Sequence, residues 1–180
     1  MLIVMPSFGA LDKEWSCYGD VIRKYIYKDY KEMFRPAGGA LQYPFMTPGS
    51  AAYPDVLWNW DSWLSNIALR QILTDNGSDT DRNEAQEYEW GCVLNFLSFV
   101  GGDSWMPISV GRNTNVQSLK PANVYEANMH KPCLAQHVAF LVRENDGDAK
   151  WLRERFSQMQ YYLDGYKNRF KHATTGLFFW

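Results

Sequence analysis

The amino-acid sequence predicts an all-α fold that forms part of an α/α toroid with long rim loops. Apolar residues recur at three- and four-residue spacings through most of the 180 residues, which is the periodicity of amphipathic helices. Short predicted turns alternate with long connections at residues 36–57 and 101–130. Paired helices whose long loops share one rim are typical of such toroids. A tetratricopeptide-like array would instead need a fixed period of about 34 residues, which the sequence lacks.

The first two helices are predicted from their apolar stripes and from the residues that end them. The first spans residues 11–35 and ends at Pro36, because proline cannot continue a helix. Its predicted inward residues are large and apolar: Trp15, Tyr18, Ile22, Tyr25, Ile26 and Met33. The second spans residues 61–76 and ends at Gly77. Its predicted inward residues are Leu64, Ile67, Ala68 and Leu73.

Three further helices are predicted in the second half of the chain. The third spans residues 81–100 and has acidic residues in its first turn. The fourth spans residues 132–145 and has a proline at its first position. A tight turn at residues 146–148 leads to the fifth helix, which Asp148 caps and which spans residues 148–171. Its predicted inward stripe is Trp151, Leu152, Phe156, Met159, Leu163, Tyr166 and Phe170.

The composition excludes several classes of protein. Hydrophobic residues make up 46% of the chain and aromatic residues 16%, too many for a disordered protein. A net charge of -2 gives no electrostatic basis for binding nucleic acid or an anionic membrane, and no apolar run is long enough for a membrane span. Cys17, Cys92 and Cys133 have no metal-like spacing and are interpreted as buried thiols of a cytoplasmic protein. No metal or organic cofactor is expected.

The densest cluster of aromatic residues follows a loop that is rich in proline and glycine. Trp58, Trp60 and Trp63 lie within residues 53–63, together with Asp61. Indole faces stack on the apolar C–H patches of a pyranose, and carboxylates accept hydrogen bonds from its hydroxyls. The cluster therefore predicts a carbohydrate site.

Three blocks of sequence together resemble one known family. They are Trp-Asn-Trp-Asp-Ser at residues 58–62, His-Lys-Pro-Cys-Leu-Ala at residues 130–135, and Asp-Gly-Asp-Ala-Lys-Trp-Leu at residues 146–152. In this order they look like the catalytic (α/α)6 barrel of glycoside hydrolase family 63. That family includes processing α-glucosidases and bacterial mannosylglycerate and glucosylglycerate hydrolases, and trehalases are more distant. The resemblance extends from about residue 40 onward.

The resemblance implies inverting hydrolysis of α-glucosidic or α-mannosidic bonds. Residues 1–180 would be the N-terminal portion of a single catalytic domain, with about five of the roughly twelve helices of such a barrel. The family's general acid, in a Gly-x-Asp-Asn-x-Pro-like motif, and its general base, a glutamate, are expected after Trp180. This segment would then supply sugar-binding residues and be inactive by itself. The remainder of the domain, or another copy of the chain, is expected to cover its inner aromatic surface.

Six residues are predicted to bind the substrate: Asp61, Trp58, Trp60, Lys131, Tyr53 and His130. Asp61 would hold two sugar hydroxyls; the alternative is that Asp61 or Asn59 caps a helix. The indoles of Trp58 and Trp60 would form walls of the sugar subsite, or else pack in the core, as is expected of Trp63. Two polar residues of the fourth helix, Gln136 and His137, are interpreted as interior groups with ordinary partners.

Lys131 would bind hydroxyls or a carboxylate such as glycerate, or it is a solvated lysine ahead of the fourth helix. His130 and Tyr53 would add contacts from the loops; the default alternative for each is a structural role within its own loop.

Two other classes of function share part of this pattern. A non-catalytic helical module that binds carbohydrate or a protein partner would explain the aromatic residues without any catalytic acid. A six-hairpin lyase or epimerase on the same toroid would need histidine, tyrosine and arginine near the pocket. Of the three histidines, only His130 falls on a predicted rim loop.

Overall fold

The structure, a computed structural model, describes residues 13–48, 55–101, 103–115 and 132–178. These residues are mostly helical, as the sequence predicts. The five α-helices are α1 (Lys13–Asp29), α2 (Asn59–Asn76), α3 (Asp79–Ser98), α4 (Leu134–Glu144) and α5 (Phe156–Phe170). The fifth predicted helix is divided, because a 3-10 helix at Lys150–Arg155 precedes α5.

Two small antiparallel strand pairs correct the all-α prediction. β1 (Phe34–Arg35) pairs with β2 (Phe45–Met46), and β3 (Val56–Trp58) pairs with β4 (Ser109–Gly111). In the second pair Leu57 lies opposite Val110, and both are buried. Such short strands carry no periodicity of their own. The partners in the second pair also lie more than 50 residues apart in the chain, so only the tertiary structure reveals that pairing.

Two short turns join the helices of the body in pairs. Residues 77–78 connect α2 to α3, where Ser78 and Asp81 form a capping box in which each side chain accepts a hydrogen bond from the other residue's backbone N–H. Residues 145–149 connect α4 to the 3-10 helix before α5. Asp146 and Gly147 have φ of 53° and 80° there, which confirms the predicted tight turn.

The core forms around α3, which packs against α2, α4, α5 and β2. Gly91 of α3 lies so close to the chain at Pro44 that a Cβ atom would come within 1.7 Å of the Pro44 carbonyl oxygen. Nearby, the Asn95 amide donates to the Tyr43 carbonyl at 2.9 Å and accepts from the Tyr43 N–H at 3.1 Å. The connection after α1 therefore runs along α3, whereas the sequence predicted a loop at the rim.

The buried face of α2 is polar, contrary to prediction. Leu64 is 46% exposed and Ile67 is 38% exposed, and of the four residues predicted to face inward only Leu73 is buried. The residues that do face inward include four polar side chains: Asn59, Ser62, Asn66 and Arg70. Arg70 forms a bidentate ion pair with Glu89 of α3, and both side chains are almost fully buried. Leu69, Ile72 and Leu73 share this buried face with the polar residues, while Leu64, Ile67 and Ala68 face outward.

The apolar stripe of α1 is also exposed. Tyr25 is 70% exposed and Ile22 is 58% exposed, although both were predicted to face inward. Phe156, predicted inward on the fifth helix, is exposed as well. Polar contacts attach the C-terminal end of α1 to the body, since the hydroxyls of Tyr27 and Tyr30 both donate to Asp81. An amphipathic pattern identifies a helix but does not by itself show which side packs.

The helical body has two ends with different connections. We call the starts of α2 and α4, with residues 103–112, the long-loop end; we call the turns at residues 77–78 and 145–149 the short-turn end. Among the helices that the structure describes, none is long and apolar enough to cross a membrane.

Candidate functional site

The tryptophan-rich block lies at the junction of β3 and α2. Trp58 is the last residue of β3, where it pairs with Ser109, and it is also the residue immediately before α2. The backbone N–H of Asn59 donates to the Ile108 carbonyl at 3.0 Å. The β3–β4 pair therefore fixes the first turn of α2, and with it the positions of Trp58, Trp60 and Asp61, at the long-loop end.

Asp61 is the third residue of α2, and it is half-buried. Its carboxylate makes no hydrogen bond or ion pair to any residue that the structure describes. No side chain caps α2, since Trp58 occupies the capping position and makes no capping hydrogen bond. The alternative in which Asp61 or Asn59 merely caps the helix is therefore not supported. The carboxylate remains able to accept hydrogen bonds from a ligand.

The three tryptophans are all partly accessible. Trp58, Trp60 and Trp63 are each half-buried, so Trp63 is not the fully buried core residue that the sequence predicted. The rings of Trp60 and Trp63 lie one helical turn apart and meet edge to face, with centroids 6.5 Å apart and an angle of 88° between the ring planes. This contact fixes the orientation of Trp60 while part of its surface stays open.

A buried hydrogen bond joins two of the blocks that carry the family resemblance. The thiol Sγ of Cys133 lies 2.9 Å from Asn59 Oδ1, across 74 positions of sequence. Both residues are almost fully buried. Burial raises the pKa of the Cys133 thiol to about 11, so the thiol stays protonated at neutral pH and donates to the amide oxygen. The starts of α2 and α4 therefore meet at the long-loop end, as a site built from both segments requires.

Several buried polar atoms around this contact lack a hydrogen-bond partner within the described part of the chain. They are Nδ2 of Asn59, Nε2 of His137 and the hydroxyl oxygen of Tyr162. His137 lies one turn after Cys133 on α4, and the Tyr162 hydroxyl of α5 is near enough to the Cys133 thiol for its pKa to be affected. His137 therefore lacks one of the ordinary partners that the sequence predicted, and Gln136, also predicted to be interior, is exposed.

The chemistry of this cluster is polar and neutral. Burial lowers the pKa of His137 to about 3, and it raises the pKa of the Tyr162 hydroxyl. The imidazole is therefore uncharged at neutral pH, while the thiol and the phenol stay protonated. Such groups donate and accept hydrogen bonds, but the cluster holds neither a thiolate nor a charged imidazole. Neither Asn59 nor Tyr162 was predicted to bind a ligand, although Asn59 lies inside the tryptophan motif.

Three of the predicted site residues lie outside the described residues. Tyr53 falls within residues 49–54, and His130 and Lys131 fall within residues 116–131. Their predicted roles stay predictions. Cys133 and Pro132, which directly follow Lys131, are described and lie at the long-loop end.

Two cavities lined by described residues lie away from the tryptophan block. An open groove of about 900 Å³ lies at the turn between α4 and α5, and a smaller one lies between Ser104 and α5. Neither is lined by Trp58, Trp60 or Asp61. Within the described ranges, no group of three or more His, Cys, Asp or Glu side chains is placed to hold a metal ion. Cys92 and Cys133 are buried free thiols, whereas Cys17 is exposed, contrary to prediction.

Comparison with known proteins gives no identification. The chain matches no protein-family model, and a search of curated proteins finds no match.

Proposed function

We propose that this chain is part of an inverting glycoside hydrolase that acts on α-glucosidic or α-mannosidic bonds, and that it supplies sugar-binding residues. The observation that carries the proposal is the arrangement at the long-loop end. Two segments that resemble family 63 glycosidases meet there through Asn59 and Cys133. Beside this contact, Asp61 has no protein partner among the described residues, and the indoles of Trp58 and Trp60 are partly accessible.

These groups suit the recognition of a hexose. The accessible faces of Trp58 and Trp60 would stack on the apolar C–H patches of the sugar ring. The Asp61 carboxylate would accept hydrogen bonds from two hydroxyls, each worth roughly 1.5–3 kcal/mol as a hydrogen bond to a charged group. Lys131 would extend the site from the start of α4, through hydroxyls or a carboxylate of the substrate.

The chemical step requires two carboxyl groups that we do not assign to this segment. In inverting hydrolysis a carboxylic acid protonates the leaving glycosidic oxygen, while a carboxylate takes a proton from the water that attacks the anomeric carbon from the opposite face. The bond between the anomeric carbon and the leaving oxygen breaks as the bond to water forms. The role of Asp61, Trp58 and Trp60 would be to hold the sugar in the geometry for this step, which is a large part of catalysis.

The exposed apolar surface supports the presence of further helices around this segment. Apolar side chains of α1 and α2, such as Tyr25, Ile22 and Leu64, are exposed, and single domains rarely leave large apolar patches uncovered. Completion of an (α/α)6 toroid by the remainder of the domain would bury them. Another copy of the chain is the alternative cover.

The experiment compares variants of the full-length gene product on aryl α-glucosides and glucosylglycerate. Asp61→Ala should lower kcat/KM by roughly 100-fold or more, because it removes charged hydrogen bonds to the sugar. Glu87→Ala is the matched control, since Glu87 is an exposed carboxylate on α3. Its activity should stay within about twofold of the wild type.

Each outcome distinguishes between the candidate functions. Hydrolysis that Asp61→Ala abolishes and Glu87→Ala preserves would support the glycosidase. Sugar binding without turnover would favour a non-catalytic carbohydrate-binding module. Absence of both binding and turnover with α-glucosides, α-mannosides and glucosylglycerate would refute the proposed function.

A further inference from the structure

The hydrogen bond between Asn59 and Cys133 joins the two segments from which the proposed sugar site is built. Asn59 stands between Trp58 and Trp60 in the sequence, and Cys133 stands two residues after Lys131. We propose that Asn59 and Cys133 are positioning residues, whose contact sets the first turn of α2 against the start of α4 and thereby holds Trp58, Trp60 and Asp61 in place. This inference rests on the proposed function and extends it to two residues that are too buried to touch a sugar themselves.

The backbone on each side of the contact is already held in place. The N–H of Asn59 donates to Ile108 at 3.0 Å, and its carbonyl accepts from the Ser62 hydroxyl at 3.1 Å. The carbonyl of Cys133 accepts the N–H of His137 at 2.9 Å, within the first turn of α4. Because both backbones are anchored separately, the bond between the two side chains directly couples one anchored unit to the other.

The identity of the two side chains also favours a positioning role. An apolar pair of similar size would fill the same buried space without leaving the Asn59 amide nitrogen unpartnered among the described residues. The amide of Asn59 is therefore better explained by its hydrogen bond to Cys133 than by packing. The protonated thiol supplies the donor, and a serine hydroxyl at position 133 would supply the same donor, whereas an alanine would not.

The test replaces Cys133 in the full-length gene product and uses a second buried thiol as control. Cys92 of α3 is also fully buried and free, and its Sγ accepts a hydrogen bond from the backbone N–H of Met46 at 3.2 Å. Cys133→Ala, Cys133→Ser and Cys92→Ala are compared for KM and kcat on glucosylglycerate and an aryl α-glucoside. Hydrogen exchange is measured on the same variants for the backbone N–H groups of residues 62–65, which are the first in α2 to bond to carbonyls one turn earlier.

We expect Cys133→Ala to raise KM by roughly 5- to 10-fold, the usual effect of one lost hydrogen bond. The N–H groups of residues 62–65 should exchange faster in this variant, because the first turn of α2 loses its link to α4. Cys133→Ser should restore KM to within about twofold of the wild type. Cys92→Ala should lower stability without raising KM, and it should speed exchange less than Cys133→Ala does, since its thiol contacts β2 and the side chains of Ser62 and Asn66 on α2 and makes no hydrogen bond to the described residues of α4.

The possible failures of the two proposals are separable. If the wild type hydrolyses the sugars and Cys133→Ala leaves KM unchanged, the positioning role is refuted whatever the exchange data show. The same holds if the wild type only binds the sugars and Cys133→Ala leaves the dissociation constant unchanged. If the wild type neither hydrolyses nor binds them, the proposed function fails, and the exchange data alone decide the structural coupling. Faster exchange in Cys133→Ala than in Cys92→Ala would then support the coupling, and equal exchange would refute it.

Discussion

The two ends of the helical body differ in whether their polar groups are hydrogen-bonded. At the short-turn end, Asp81 accepts hydrogen bonds from Ser78 and from the hydroxyls of Tyr27 and Tyr30. Nearby, Arg82 donates to the carbonyls of Leu73 and Gly77 at the end of α2. The long-loop end instead buries polar atoms that have no partner within the described segments, on Asn59, His137 and Tyr162.

This difference separates a structural end from a candidate binding end. A buried polar atom without a partner costs about 1–3 kcal/mol, so such atoms are rare in native proteins and cluster where function requires them. The hydrogen bonds of the short-turn end hold α1, α2 and α3 together. One of the unpartnered atoms belongs to Asn59, which stands between the predicted sugar-binding residues Trp58 and Trp60 in the chain. Buried polar atoms without partners are therefore expected at the candidate binding end rather than at the structural end.

The largest expected effect is a loss of stability on replacing Arg70, which lies in the half of α2 nearer the short-turn end. Arg70→Ala should lower the free energy of unfolding by about 3–5 kcal/mol, because it leaves the Glu89 carboxylate buried without its cation. Burial raises the pKa of Glu89, and the charge of Arg70 opposes that rise. Urea denaturation at pH 7 measures the loss.

The matched control replaces both members of the ion pair with apolar residues. Arg70→Met combined with Glu89→Leu should be close to the wild type in stability or above it, since no charge is then buried. A loss below about 1 kcal/mol in Arg70→Ala would contradict the role of paired charges in this half of the molecule.

The next largest effect is the pH dependence of stability that His137, near the start of α4, should produce. Burial lowers the pKa of His137 to about 3, whereas an unfolded histidine has a pKa of about 6.5. Between these values the unfolded state binds the proton first, so stability is lost as the pH falls. The slope should approach about 1.4 kcal/mol per pH unit. Burial also raises the pKa of Glu89, which acts in the opposite direction in both proteins. The slope of His137 is therefore read from the difference in free energy of unfolding between wild type and His137→Leu, measured by urea denaturation between pH 7 and pH 5.

His172 provides the control for this measurement. It is exposed near the end of the described chain, so His172→Leu should keep the pH dependence of the wild type. A stability difference between wild type and His137→Leu that does not change between pH 7 and pH 5 would show that His137 is not held neutral by burial.

The smallest effect compares one tyrosine hydroxyl at each end. Tyr30→Phe removes a hydrogen bond of 3.0 Å to Asp81 and should cost about 1 kcal/mol of stability. Tyr162→Phe removes a buried hydroxyl without a partner among the described residues, so it should be neutral or stabilise by about 1 kcal/mol. Thermal denaturation of both variants measures the difference. A destabilised Tyr162→Phe would mean that this hydroxyl has a partner, and the contrast between the two ends would then weaken.

Part of the fold and of the candidate site could be predicted from local sequence. The tight turn at Asp146 and Gly147 was predicted correctly, because such turns depend on a few adjacent residues. The tryptophan block, with Asp61 in it, was identified because aromatic and acidic residues stand close together in the chain. The role of Asn59 and Cys133 could not be predicted, since their contact joins positions 74 residues apart.

The sequence by itself determined that the described chain is mostly helical and where the short turns fall, and it led to the prediction that residues 53–63 bind carbohydrate. These properties follow from hydrophobic periodicity, turn residues and side-chain chemistry, all of which act over a few residues. Only the tertiary structure decided which faces of α1 and α2 pack, and that β3 pairs with β4. The reason is physical: burial, the Arg70–Glu89 ion pair and the Asn59–Cys133 hydrogen bond all depend on distant partners that no local pattern contains.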